Sequence, residues 1–511
     1  MHMEQQYFFW KLAYDLVSRH NFEIVHLHLQ HGEVWLEKSS QGKTHIIRLL
    51  QKEFNWSNQV KADIDHINRQ MEKNRRYFSG RKKEMHVIYI AQYPPVDDFT
   101  SPSTKLDFNF NIVFLSDDNK ENGLDDLTRR LGLDEPLTIN YKLPDAPMEY
   151  ESTIEYMKQQ LITYKEKQKQ RMKDVFEYGK PQLTYILLML NIIVFYFLES
   201  VGSTTSISTL IEYGAKYNPG IVKGEWWRLV SSMFLHIGVL HIAMNMLALF
   251  YLGSAVEQIY GSWRFFITYF LAGILGSGAS FYFNDAVAAG ASGAIFGLFG
   301  ALLYFAWRYP SLFFRTMGWN LIILVGINIA FGIMVPQVDN SGHMGGLIGG
   351  FIAAQLVDLP KMSHRVYQGS ALLLYATLLF SLLFSGIRSE QQVTAGEIQY
   401  LQELNEEERY EQVVSMTEEK EDIEGEWEEE WLFQRSFAYL RTGEEEQAFE
   451  DLVRAVEIDP GFAEAHYNLS LLYERRGDES NARFHKERAE ELNPELQSEA
   501  PEEPASSQLN E

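Results

Sequence analysis

There is not one cysteine among the 511 residues. Disulfide frameworks, thiolate nucleophiles and thiolate metal sites are therefore all excluded. Positive charge is also in short supply: 45 Lys and Arg stand against 69 Asp and Glu, for a net charge of −24. No concentrated basic face exists to neutralise phosphates, so nucleic acid is not an expected partner. The opening MHMEQQYFFWKLAYDLVSRH carries acidic residues and no small-residue cleavage site after an apolar core. It does not read as a signal peptide.

The charge imbalance is local. Residues 389–511 hold about 35 acidic and about 10 basic side chains, nearly all of it. A chain of this length is expected to contain three or so domains. Residues 1–145 read as a soluble α/β domain: FEIVHLHL, GEVWLEKS and KTHIIRLL suggest a strand meander, a helix is expected from Asn58 to Tyr77, and MHVIYIAQY and FNFNIVFL suggest further strands. Residues 146–180, with KEKQKQRMKD, are expected to form a charged helical connector.

From Leu183 the composition turns apolar, in runs at 183–200, 238–256, 264–283, 291–306, 317–335, 343–358 and 370–387. Each is near the ~20 residues that cross a bilayer core, which predicts a membrane bundle of seven spans over residues 181–387. Basic residues set its orientation. Lys165, Lys167, Lys169, Arg171 and Lys173 precede the first span, and Arg264, then Arg308 and Arg315, then Lys361 and Arg365 fall in every second short loop. This predicts a cytoplasmic N-terminus and an extracellular C-terminus across the plasma membrane. The long loop 199–235 is the exception, since it lies on the outer side with Lys216, Lys223 and Arg228.

Residues 388–496 contain an internal repeat. Gly443, Ala448, Ala455 and Pro460 recur 34 residues later as Gly477, Ala482, Ala489 and Pro494, and Tyr439 recurs as Tyr473. The pattern resembles the tetratricopeptide repeat, which implies an all-α solenoid able to bind protein partners. Residues 396–428 read as a degenerate first repeat, and 497–511 as a disordered tail.

Polar side chains in membrane spans ask for a reason. Ser292 opens the fourth span in AAGASGAIFGLFG, His343 opens the sixth in DNSGHMGGLIGGF, and His241 and Asn245 share one helical face at the start of the second in FLHIGVLHIAMNM. All four gather near the same leaflet. A serine hydroxyl needs a base to take its proton, and His343 is the candidate. The Ser292 N–H, a His241 ring N–H and the Asn245 amide are candidate donors to the oxyanion. No carboxylate stands beside His343, which suggests a dyad, with Phe296 one turn after Ser292 placed to hold the imidazole by stacking. Gly346 and its neighbours would let the two helices approach.

GASG, HIAMN and GHMGG on alternate spans resemble the rhomboid family of intramembrane serine proteases. EWWRLVSSMFLH, with Trp227 and Arg228, is similar to that family's Trp-Arg element in the first outer loop. Gly253, Glu257 and Gly261 match the run after its second span. The resemblance covers residues 181–387. It implies that Ser292 is the nucleophile, His343 the general base, and His241 and Asn245 the oxyanion donors, with Gly290 before a loop lining the substrate cleft. Phe296 stands where many members have tyrosine. Six spans would form the catalytic bundle and the seventh an appended helix, no cofactor would be needed, and the substrates would be membrane proteins cut in or near their transmembrane segments. The cytoplasmic domain and outer repeats make the chain similar to the GluP-type rhomboids of Gram-positive bacteria. An adaptor that presents membrane clients to another protease is the alternative.

The N-terminal domain adds a separate expectation. In VHLHLQH, His26 and His28 alternate along a strand and share one face, with His31 nearby. A divalent metal could use that geometry, with Glu33, Asp63 or His66 as further ligands. The domain would then sense divalent cations.

Overall fold

A computed structural model describes residues 3–40, 43–73, 82–97, 108–137, 147–335, 338–362, 364–389, 394–418 and 427–497. The chain divides into two compact units, residues 1–178 with 305–326 and residues 179–304 with 327–511.

In the first unit, α1 (Met3–Ser18) precedes a meander of β1 (Glu23–His28), β2 (Glu33–Ser40) and β3 (Lys43–Gln51). Helix α2 (Ser57–Lys73) then crosses over to β4 (Lys82–Ile90), and β5 (Phe108–Leu115), α3 (Lys120–Leu131) and α4 (Pro147–Phe176) follow. Residues 74–77 of the expected helix lie outside the described residues. The sheet has the order β1-β2-β3-β4-β5, antiparallel through β3 and parallel from β3 to β5. The near-continuous apolar run of β3 reflects a strand covered on both faces. Ile47, Leu49, Ile88 and Ile90 pack under α1 and α4, while Ile46, Met85, Val87 and Tyr89 pack against Val60, Ile64 and Ile67 of α2. The charged stretch therefore does more than connect. Tyr150, Ile154, Met157 and Leu161 recur at helical spacing on α4 and are buried in that core.

The second unit opens with α5 (Gln182–Val201) and the short helices α6 (Ile207–Glu212), α7 (Asn218–Val222) and α8 (Arg228–Ser231) of the long loop. The helix α9 (Gly238–Ala248) continues through a π-helical turn, Leu249–Gly253, into α10 (Ser254–Tyr260). Then come α11 (Ser262–Phe283), α12 (Ser292–Arg308), α13 (Pro310–Thr316), α14 (Gly318–Met334), α15 (Asn340–Val357) and α16 (Arg365–Ser389), with α12 and α14 running across the division between units. Among the described residues, four helices, Gln182–Val201, Gly238–Tyr260, Ser262–Phe283 and Arg365–Arg388, are long and apolar enough to cross a membrane. Ser292–Arg308 and Gly318–Met334 are apolar but shorter. Glu257 is buried and caps α5, accepting from Leu183 N at 2.9 Å and Thr184 N at 2.7 Å. The last apolar helix, α16, packs on the bundle: Ala371 and Tyr375 share a core with Leu275 and Ile352, and the Tyr375 hydroxyl donates to Leu271 O at 2.8 Å.

The C-terminal helices are α17 (Ala395–Glu406), α18 (Tyr410–Glu418), α19 (Glu428–Thr442), α20 (Glu445–Ile458), α21 (Ala463–Arg475) and α22 (Glu479–Leu492). Two of the recurring alanines, Ala448 and Ala455, are buried with Trp431, Leu452 and Leu469 where helices pack together. Residues 419–426 of the degenerate repeat and 498–511 of the tail lie outside the described residues.

Candidate active site

Ser292 is the first residue of α12, and the backbone leading to it is tied on both sides. Lys216 and Ala288 exchange N–H···O bonds of 2.8 and 3.1 Å, and Gly290 N donates to Ser232 O at 2.9 Å. Gly290 holds φ at 145°, a region that residues with side chains rarely adopt. A side chain there would also fill the site. Its Cβ would sit 3.1 Å from His241 Nε2 and 3.7 Å from Ser292 Oγ, so imidazole and hydroxyl both face the Gly290 backbone.

His343 lies in the first turn of α15, whose N-terminus Asp339 caps by accepting from Gly342 N at 3.0 Å. Its ring stacks on Phe296, with centroids 4.1 Å apart and planes 11° apart. Its Nδ1 is buried and, among the described residues, has no hydrogen-bond partner, so the stack on Phe296 holds the ring, with the Asp339 carboxylate lining the same cavity. Glycine brings the two helices together. A Cβ on Gly346 would run into the Gly293 carbonyl, and one on Gly350 into that of Gly297. In a membrane, close backbone approach replaces the hydrophobic drive between helices. Ser292 and His343 line one cavity of about 50 Å³ with Met233, Gly276 and Ser280.

His241 rises from α9 with its tautomer set. Ile237 N donates to Nδ1 at 3.3 Å, so Nε2 carries the proton on the side that faces Gly290. Asn245 is buried one turn on, and its amide donates to His241 O at 3.0 Å, within its own helix. Sequence reasoning passed over His236. It is fully buried, its ring lies 5.4 Å from that of His241, and its Nε2 accepts from Ala291 N at 3.4 Å. The five-residue spacing from His241 was visible, but His236 precedes the apolar run and so drew no attention.

The loop that backs the site is itself pinned. Arg228 is buried and donates to Ile211 O at 2.7 Å, Ala215 O at 3.1 Å and Glu225 at 2.5 Å, and it lies 4.9 Å from the exposed Trp227 ring. Lys216 is buried too, with Nζ donating to Asn284 O at 2.6 Å and Ala286 O at 2.7 Å. A hydroxyl and an imidazole lining one cavity, with a second imidazole N–H facing the same glycine as the hydroxyl, are the parts that acyl transfer needs.

His26, His28 and His31 are exposed on β1 and the turn after it, with ring centroids 4.1 and 5.8 Å apart in succession. Two of their expected helpers are engaged elsewhere: Arg48 binds Glu33 at 2.6 Å and Asp63 at 2.5 Å. His66 lies 3.0 Å from the Gln70 amide. Among the described residues, the group whose ligand atoms converge is instead His45, Glu84 and His86, within 4.8 Å of one another. His45 Nδ1 is 3.2 Å from His86 Nε2 and 3.5 Å from Glu84 Oε2. Burial pushes the His86 imidazole down to about 4 and lowers His45 as well, so both are neutral at pH 7.

Residues 223–358 match the rhomboid domain family, and residues 432–462 and 463–496 each match the tetratricopeptide repeat. The chain is 34% identical over 475 residues to the Rhomboid protease GluP of Bacillus subtilis (strain 168), covering 92% of each chain. It is 42% identical over 135 residues to RHOMBOID-like protein 1 of Arabidopsis thaliana, 25% of this chain and 34% of that one. With RHOMBOID-like protein 7 of the same plant it shares 39% over 158 residues, 30% of this chain and 50% of that one.

Proposed function

The chain belongs to the rhomboid family and is an intramembrane serine protease working by a serine–histidine dyad; from that premise we propose that Ser292 is its nucleophile and His343 its general base. The observation that supports the assignment is the shared cavity: Ser292 and His343 both line it, on helices held close at Gly293 and Gly346, with His343 stacked on Phe296. As Ser292 Oγ attacks the scissile carbonyl, His343 takes its proton and then returns it to the leaving amine. The developing oxyanion is received by the Ser292 N–H and by the His241 Nε2–H, with Asn245 turning from its own helix to add a third donor. Water then attacks the acyl carbonyl, giving a proton to His343, which passes it to Ser292 Oγ as the acyl–oxygen bond breaks and the acid product leaves. The chemistry needs no cofactor.

The substrates are membrane proteins. A helix hides its carbonyls in its own hydrogen bonds, so the substrate unwinds locally before attack. A cavity of about 50 Å³ suits a small side chain at the scissile residue. The architecture we assign is a cytoplasmic domain over 1–145, a helical segment over 146–180 whose apolar side packs into that domain's core, six catalytic spans plus one over 181–387, and an extracellular tetratricopeptide solenoid over 388–496 with a tail to 511, in the plasma membrane. Burial of Lys216 and Arg228 supports that orientation, because two cations of the outer loop are structural and do not mark a cytoplasmic face. In the N-terminal domain, we assign divalent-cation binding to His45, Glu84 and His86, where two neutral imidazoles and one carboxylate converge. Titration of the full chain with zinc or manganese, with His86→Asn as control, tests that part.

A fluorophosphonate probe tests the dyad on purified wild type, Ser292→Ala and His343→Ala. Labelling confined to wild type is expected. Labelling of Ser292→Ala, or none of folded wild type, overturns the assignment.

A further inference from the structure

Helix α17, the first of the C-terminal block, is seated on the segment that delivers Ser292. Its Gly396 N–H donates to Asp285 O at 3.3 Å, and a Cβ on Gly396 would lie 2.8 Å from that oxygen and 3.2 Å from Val287 N. A few residues on, α17 and the turn after it hold the long loop: Ser208 N donates to Glu403 of α17 at 2.9 Å, Ser208 Oγ to Glu407 of the turn at 3.0 Å, and Arg409 pairs with Glu212 at 2.6 Å. The polar contacts ring an apolar one. Ile211 and Tyr217 of the loop are buried in the same core as Tyr400, Leu401 and Trp431, Val287 packs against it, and the Tyr217 and Tyr400 rings lie 5.8 Å apart. A shared core, unlike surface ion pairs alone, fixes position. From there the chain passes in four residues through the Lys216–Ala288 bridge and the Gly290–Ser232 bond to the serine.

We propose that the repeat block is a positioning clamp for catalysis: through Gly396, Tyr400 and Arg409 it holds the 285–291 segment, and so sets the Gly290 backbone against Ser292 and His241. The proposal rests on the protease reading. It makes the block part of the enzyme's rigid frame, so that a protein partner seated on the repeats would act on turnover through α17.

The test uses the full chain in detergent. Gly396→Val drives a wedge between α17 and Asp285 without touching the cavity, and Arg409→Glu breaks the loop contact, with Glu212→Arg as its charge-swapped rescue. The absence of cysteine leaves labelling of the serine free of thiol background. Hydrogen exchange over residues 284–291, the rate of fluorophosphonate labelling, and kcat and KM on a transmembrane substrate are read together. Expected are faster exchange, and labelling and kcat lower by about tenfold with KM little changed, because small displacements of reacting groups slow chemistry more than binding. The double variant Arg409→Glu, Glu212→Arg restores both. Faster exchange with unchanged labelling and kcat overturns the clamp, as does unchanged exchange in both single variants. Wild type that resists labelling while residues 284–291 stay protected rejects the protease reading instead, and the exchange comparison then still decides whether α17 holds the segment.

Discussion

Two buried histidines carry the same local oddity and differ in what faces them. Among the described residues, His343 and His86 each have a buried Nδ1 with no hydrogen-bond partner, and each is stacked on a flat ring, Phe296 for His343 and His45 for His86. His343 lines a cavity with a serine hydroxyl and the Asp339 carboxylate, whereas His86 lies fully buried between strands with His45 and Glu84, their ligand atoms converging within 4.8 Å. One environment offers a proton to take and room for a substrate. The other offers lone pairs that converge on a point. The imidazole itself does not decide between base and ligand; its second neighbour does.

The largest effect separates the two at once. His343→Ala should lower kcat for a transmembrane substrate by about 10⁴-fold or more, while His86→Ala in metal-free solution leaves it within about twofold, since the residue touches nothing in the cavity. Loss of activity in both variants would break the comparison. The next effect tests how the serine and the imidazole are brought together. In Gly346→Val the new side chain meets the Gly293 carbonyl and forces α12 and α15 apart. A shift of this order should cost about 100-fold in kcat, with fluorophosphonate labelling slowed in step. Removing the stack is milder. Phe296→Ala should lower kcat by about tenfold, the equivalent of an aromatic contact, and Phe296→Tyr should leave it nearly unchanged. Equal losses in both would mean that the ring position tolerates nothing but phenylalanine.

The proposed catalytic set is legible in the sequence because its residues punctuate apolar runs. Ser292, His343, His241 and Asn245 are polar interruptions in apolar runs, and the glycines that let α12 and α15 touch are written beside them. His236 was not legible in that way, since it stands outside the span and acts by holding the Ala291 N–H. The strands of the N-terminal sheet could be read from alternation, yet its converging histidines could not. His45 and His86 are 41 residues apart and meet only because β3 and β4 pair in parallel, whereas in VHLHLQH the alternation of His26 and His28 on one strand face can be read locally. The role of α4 was half visible: its charge was obvious, and the buried set at Tyr150, Ile154, Met157 and Leu161 was masked by it. Contact between α17 and the loop before Ser292 had no sequence signal, because it joins segments more than 100 residues apart through ordinary apolar side chains.

The smallest effect concerns acid. His86 titrates at about 4 in the folded chain because burial disfavours its charged form, against about 6.5 when unfolded. Between these values the unfolded state binds the extra proton, so the sheet loses stability as pH falls through 6.5 and the loss levels off below about 4. Above 6.5 the contribution is constant. The full loss is of the order of 3 kcal/mol for one such group. Hydrogen exchange of the β3 and β4 amides in the full chain, with chelator present, should therefore quicken between pH 6.5 and 4.5. His86→Phe should flatten the dependence. The labelling rate at Ser292 gives the contrast, because its pH profile should follow His343 and stay the same in His86→Phe. A profile that moved with the His86 substitution would join the two histidines into one titrating system.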